Sequence, residues 1–115
     1  MKEKIDALRT ANEYINNLKR GIIDSVELIQ NDNEERGIAL IPDIAEGIGW
    51  VLNVIELTKD AQKKKIEFND INEKLEEVVE ALENDDFILI GDLLKYEILP
   101  IIEEIHIGIR KNLEN

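Results

Sequence analysis

Apolar residues recur every three or four positions in four stretches of the chain, which is the spacing of an amphipathic α-helix. Polar turns around residues 31–33 and 84–86 separate the outer pairs of stretches. Because short connections make consecutive helices antiparallel neighbours, the pattern predicts an all-α, antiparallel up-down four-helix bundle built from residues 1–115 as a single domain. The four predicted helices cover residues 3–31, 34–64, 70–83 and 86–112.

Two prolines fall inside predicted helices, Pro42 in the second and Pro100 in the fourth. An interior proline lacks the N–H that the helix needs and costs about 3 kcal/mol. The apolar stripe of the second helix keeps its phase across Pro42, which favours a bent helix over one that begins there. We therefore expect kinks near both prolines.

Polar residues that favour a helix N-terminus stand before each of the last three helices. Asn33 precedes the second helix, and Asn69 or Asp70 precedes the third. Asp85 or Asp86 precedes the fourth. These residues predict where each helix begins.

Helices two and four carry more apolar residues than a single buried face requires. The surplus forms a second stripe, roughly 150° or more from the core stripe at about 100° per residue. Its members are Trp50, Val54, Leu57 and Ala61 on helix two and Leu89, Leu93, Tyr96, Pro100 and Ile107 on helix four. All of them except Ala61 and Pro100 are candidate interface residues. The stripe could be buried between helices of the same chain, form a homodimer interface, or bind another protein's helix. In the last two cases, Trp50 and Tyr96 are the expected aromatic anchors.

The composition narrows the possible partners. A formal net charge of −12 repels phosphate backbones and anionic lipids, so we expect neither nucleic acid nor membrane as a partner. No uninterrupted apolar run approaches the length of a membrane span, and no targeting signal is visible at the N-terminus, which predicts a cytoplasmic protein. The absence of cysteine excludes disulfides, thiolate zinc sites and a thiol nucleophile.

Candidate chemistry is sparse. Glu103 and His106 have the Glu-x-x-His spacing of carboxylate metal-binding bundles, but such a site uses two of these motifs and the chain has one histidine. His106 also falls about 100° from the centre of the core stripe, so we expect an ordinary surface or boundary residue. Ser25, the sole serine, has no histidine nearby in sequence. We predict no catalytic residue, no bound metal and no cofactor.

Gly47 and Gly49 indicate close approach of another helix.

Two segments carry a resemblance to known sequences. They are Glu46-Gly47-Ile48-Gly49-Trp50 followed by Ile55-Glu56-Leu57, and Asp92-Leu93-Leu94-Lys95-Tyr96-Glu97-Ile98-Leu99-Pro100. Together they resemble small, uncharacterised four-helix proteins of low-GC Gram-positive bacteria. No activity is established for that group, so the resemblance implies only that Trp50, Tyr96 and Pro100 belong to a shared pattern.

The sequence therefore predicts a non-enzymatic protein-interaction or assembly module that self-associates through the second faces of helices two and four. Its expected partner is a second copy of the chain or a helix of another protein. Two alternatives stay open: a carboxylate-rich metal-binding bundle, motivated by Glu103 and His106, and an export or assembly chaperone that binds a partner helix.

Overall fold

Four antiparallel helices form the structure, a computed structural model that describes residues 2–114. The second bundle helix is divided into α2 and α3, and the fourth into α5, a π-helical segment and α6. The predicted all-α four-helix bundle is confirmed. The elements are α1 (Lys2–Gln30), α2 (Glu34–Ala39), α3 (Ile41–Leu57), a 3₁₀ turn (Lys59–Ala61), α4 (Ile71–Glu83), α5 (Phe87–Asp92), the π-helical segment (Leu93–Ile98) and α6 (Leu99–Leu113).

The longest helix, α1, organises the core. It packs against both the second and the fourth bundle helices, while α4 packs against α5 and the π-helical segment. Each fully buried aliphatic side chain contributes about 1.5–3 kcal/mol, so the apolar stripe of α1 accounts for much of the stability of the bundle. The predicted stripe is buried throughout: Leu8, Ala11, Ile15, Leu18, Ile22, Val26 and Ile29.

Both prolines coincide with an interruption of regular α-helix. Leu40 separates α2 from α3 but keeps helical dihedrals, and Pro42 occupies the first turn of α3, where no N–H is required. Pro100 lies in the first turn of α6, directly after the π-helical segment. Widening one turn to π geometry accommodates the missing N–H of Pro100 without ending the helix. The interruptions lie where the sequence predicts kinks, and bends of the helix axis at these two positions stay a prediction.

The second bundle helix ends at Leu57 rather than near Lys64, so that predicted boundary is wrong. The hydroxyl of Thr58 donates to the carbonyl of Val54 at 2.7 Å, and the side-chain amide of Gln62 donates to the carbonyl of Ile55 at 2.9 Å. These side chains bond to the last carbonyls of α3, which stabilises the helix end.

The segment that follows runs along α6 without being helical. The Asn112 side chain on α6 forms two hydrogen bonds with the backbone of Lys64 in this segment. The Lys64 N–H donates to the Asn112 side-chain oxygen at 3.1 Å, and the Asn112 amide donates to the Lys64 carbonyl at 2.8 Å. Ile66 is buried against α6, and a Cβ on Gly108 would come within 2.9 Å of its side chain. The segment therefore covers the part of the fourth helix that the short α4 does not reach.

The predicted helix starts are mostly confirmed. Asp70 accepts from the Asn72 N–H at 3.0 Å, and Asp86 accepts from the Leu89 N–H at 3.2 Å. Asn33 precedes α2 as expected, but its side chain forms no cap bond.

The stretch Glu34–Leu57 is 24 residues long and apolar enough to cross a membrane by length and composition, although it contains no long uninterrupted apolar run. Core helices pass the same test. Here the buried residues of α3 face α1 and the rest of the core.

Candidate interaction surfaces

Five of the seven predicted interface residues are exposed. The exposed fractions are 40% for Trp50, 63% for Leu57, 42% for Leu89, 62% for Tyr96 and 40% for Ile107. Val54 and Leu93 are only 6% exposed and belong to the core, so they are not available to a partner and their assignment was wrong. Leu93 is covered because the π-helical segment packs against α1 and α4 at once.

The five exposed residues do not form a single patch. Leu57 is the last residue of α3, three positions before Asp60, which forms a 2.6 Å ion pair with Lys4 near the start of α1. Leu89 belongs to α5, which packs against the opposite end of α1 near Ile29. Because α1 rises about 1.5 Å per residue, these ends are roughly 37 Å apart. The bundle itself is 46 Å long, so the two stripes extend over most of its length.

Trp50 is held by an aromatic partner on α1. Its ring meets that of Tyr14 edge to face, with the ring centroids 5.3 Å apart and the planes at 78°. Around this pair is a depression of about 530 Å³ between α1 and α3. It is lined by Thr10, Tyr14, Asp43, Glu46, Gly47 and Trp50.

A second depression, of about 230 Å³, continues along the same seam and shares Tyr14 and Asp43 with the first. We call the two together the aromatic groove. It follows α1 from Thr10 to Gly21, which is roughly 16 Å or three helical turns. The second depression is lined by Tyr14, Asn17, Leu18, Gly21, Leu40, Asp43 and Ile44.

Glycine shapes this groove. A Cβ on Gly47 would overlap the Tyr14 hydroxyl and come within 3.2 Å of Leu18 Cδ1, so only glycine leaves room for the tyrosine. The prediction of close helix approach is confirmed at Gly47. It is wrong at Gly49, where nothing would lie within 4 Å of a Cβ.

The groove is negatively charged. Asp43 and Glu46 both line it, and neither forms an ion pair with any of residues 2–114. Sequence reasoning singled out Trp50 but missed Tyr14. The available signal was the spacing of Thr10, Tyr14 and Gly21, which fall on one side of α1, next to the core stripe.

His106 is buried at 4% exposure, so its prediction as a surface or boundary residue was wrong. The Lys19 Nζ lies 2.8 Å from His106 Nδ1 and 2.9 Å from the Glu103 carboxylate. Burial, followed by the charges of Lys19 and Arg110, lowers the pKa of His106 below its ordinary 6.5. The hydrogen bond from Lys19 lowers the pKa of Glu103. A neutral imidazole therefore accepts from the lysine ammonium, which lies between the two groups that motivated the metal hypothesis.

Within residues 2–114, no three His, Asp or Glu side chains converge in a way that could hold a metal ion. A further depression, about 830 Å³, is lined only by α4 and its C-cap residue Asn84, so it is an open helix face rather than a groove between elements. Its residues include Leu75, Val79, Glu76 and Glu80. The aromatic groove is therefore the best-formed candidate site.

Comparison with known proteins identifies a family whose function is unknown. No curated protein and no solved structure matches the chain. A family model described as a domain of unknown function, DUF8042, matches residues 6–108, which include the whole aromatic groove. The chain belongs to this DUF8042 family.

Proposed function

We propose that this protein is a non-enzymatic protein-interaction module that binds an α-helical segment of another protein in the aromatic groove. The observation that carries the proposal is Trp50, which is 40% exposed yet oriented by its contact with Tyr14. Tryptophan and tyrosine are the residues most often responsible for binding energy at protein interfaces. An exposed tryptophan that is already oriented loses little conformational freedom when a partner covers it.

The dimensions of the groove suit a helix. Its length of roughly 16 Å corresponds to about eleven helical residues, which present three anchor side chains at i, i+4 and i+7. Gly21 adds no side chain to its surface, which lets a partner helix approach closely at that position. Leu40, which is half-buried, supplies apolar contact in the second depression.

Binding to another protein is favoured over self-association through both second stripes. The exposed residues of those stripes are spread along the bundle, and two copies that each carry a net charge of −12 repel one another. Homodimerisation therefore stays a prediction, to be tested by the molar mass in solution. An export or assembly chaperone would be a special case of the proposal, because it would hold its client helix in the same groove. A cytoplasmic location likewise stays a prediction.

The metal-binding alternative has less support. A cation at Glu103 and His106 would have to displace Lys19, whose ammonium already contacts both side chains. Elemental analysis of protein purified without an affinity tag tests this alternative. A metal content above roughly 0.5 per chain would favour it, since a working site is well occupied.

Selection of helical peptides from a displayed library tests the proposed function. We expect Trp50→Ala to weaken binding of the selected peptides by about 2 kcal/mol, roughly thirtyfold in Kd. Tyr96→Ala is the matched control, because Tyr96 is an exposed aromatic residue outside the groove. Peptides that bind the Trp50→Ala variant as tightly as the native protein would contradict the proposal.

A further inference from the structure

We infer that the helix bound in the aromatic groove is cationic, with a Lys or Arg side chain that packs on the Tyr14–Trp50 pair and reaches Asp43 and Glu46. This inference rests on the proposed function and specifies the chemistry of its partner. It follows from the unpaired carboxylates, the aromatic pair and the net charge of the chain.

Most of the chain's 26 Asp and Glu side chains form no ion pair among residues 2–114, and the two carboxylates that line the groove belong to this majority. Asp60, Glu77 and Glu103, among others, each lie within 4 Å of a lysine. Asp43 and Glu46 have no such partner among residues 2–114. Asp43 lies in the first turn of α3, where the helix dipole stabilises a negative charge. Glu46 lies beyond the first turn, so the helix dipole does not stabilise its carboxylate to the same extent. The two charges therefore leave a negative potential at the groove that a partner cation can neutralise.

The aromatic pair adds a second recognition element for a cation. Because Tyr14 meets Trp50 edge to face, it cannot cover both faces of the indole ring. Tryptophan is the best cation–π partner among the side chains, and a guanidinium or ammonium group binds within about 6 Å of the ring centroid. The aliphatic stem of Lys or Arg also packs on apolar surface while its charge stays at the rim. One basic residue can thus contact both the aromatic pair and the carboxylates.

The net charge of −12 repels anionic ligands and also disfavours binding of a second copy of this chain in the groove. Nucleic acid and anionic lipid would be repelled by the groove itself. A cationic amphipathic helix satisfies the charge, the apolar contacts and the length of the groove at once. The complementary charges also predict fast, salt-sensitive association.

The test uses two fluorescently labelled amphipathic peptides of about 14 residues, roughly four helical turns. Both have leucine on the apolar face; one has lysine on the polar face and the other glutamine. Binding is followed by the anisotropy of the label and by the emission of Trp50, the only tryptophan in the chain. We expect the lysine peptide to bind at least roughly tenfold more tightly than the glutamine peptide at low salt, and to shift the Trp50 emission.

Two double variants localise the charge effect, and each removes two negative charges. Asp43→Asn with Glu46→Gln should weaken the lysine peptide roughly tenfold. Glu76→Gln with Glu80→Gln, on the open face of α4, should leave its Kd within about twofold, because distant exposed charges are screened. If the first double variant is poorly folded, Glu46→Gln alone replaces it, with an expected loss of about threefold.

The outcomes separate the inference from the proposed function. Equal Kd values for the two peptides, with binding still lost in Trp50→Ala, would overturn the inference and leave the groove as a binding site. If both double variants weakened binding of the lysine peptide equally, the inference would also be overturned, because the attraction would then come from the overall charge of the chain rather than from Asp43 and Glu46. Peptides that bind without any dependence on Trp50 would contradict the proposed function as well. A stable dimer whose Trp50 is shielded would identify a second copy as the occupant and overturn the inference.

Discussion

The two glycines at positions 37 and 49 should respond in opposite ways to the same substitution. Both lie in the second bundle helix, where alanine is favoured over glycine by about 1 kcal/mol. Nothing would lie within 4 Å of a Cβ at Gly49. Gly49→Ala should therefore raise the free energy of unfolding by about 1 kcal/mol.

Gly37 is buried where α2 crosses α1. A Cβ there would come within 2.6 Å of Ile29 Cγ1 and 2.8 Å of the Ser25 carbonyl oxygen. The Ile29 side chain can turn away, but the backbone oxygen cannot, so the helices must separate at an overpacking cost of about 1–3 kcal/mol.

That separation also strains the buried hydrogen bond in which Ser25 Oγ donates to the Gly37 carbonyl at 2.7 Å. A buried hydroxyl left unpaired costs about 1–3 kcal/mol. After the gain in helix propensity is subtracted, Gly37→Ala should lower the free energy of unfolding by about 3 kcal/mol. The two variants should then differ by about 4 kcal/mol.

Urea and thermal unfolding followed by circular dichroism measure both effects. For a chain of this size, 1 kcal/mol corresponds to about 4 °C in Tm. We expect Gly49→Ala to melt about 4 °C above the native protein and Gly37→Ala about 12 °C below it. A Gly37→Ala variant as stable as the native protein would refute the close α1–α2 crossing. A destabilised Gly49→Ala variant would refute the open surroundings of that position.

Three further predictions concern other parts of the bundle. The folded protein holds the pKa of His106 below 6.5, so the unfolded chain binds this proton first. Stability should fall as the pH drops below about 6.5 and through the folded pKa, with a second loss below about 4.5 from Glu103. Urea unfolding at several pH values measures this loss, and the upper step should vanish in His106→Gln. Ile66→Ala should lower the free energy of unfolding by about 2–4 kcal/mol in urea titrations, because it opens a cavity under residues 62–70. Asp86→Ala should cost about 1 kcal/mol by removing the cap of α5, and a change below about 0.3 kcal/mol would argue against that cap.

The bundle could be predicted from the sequence because α1 and α3 have uninterrupted apolar periodicity. The segment at residues 62–70 could not, since Ile66 is a single apolar residue in a polar run and gives no period. Its burial depends on Gly108, which lies more than forty residues away in sequence. Leu93 was misplaced because the periodicity of one helix does not show that the π-helical segment packs against α1 and α4 at once.

The candidate site was only half predictable for a similar reason. The surplus apolar stripe identified Trp50, but its partner Tyr14 comes from another helix and shares no short-range pattern with it. His106 was misjudged because Lys19, the side chain that covers it, lies on α1. Periodicity describes one helix at a time, whereas both clusters depend on how two helices meet.

Mapping the amide chemical shifts of the protein as a selected helical peptide is added tests the central claim most directly. The account predicts that the largest changes fall on residues 10–21 of α1, on Leu40 and residues 41–50 of α3, and on the indole N–H of Trp50. Changes centred instead on α4 or α5, with the Trp50 indole unaffected, would contradict the aromatic groove as the binding site.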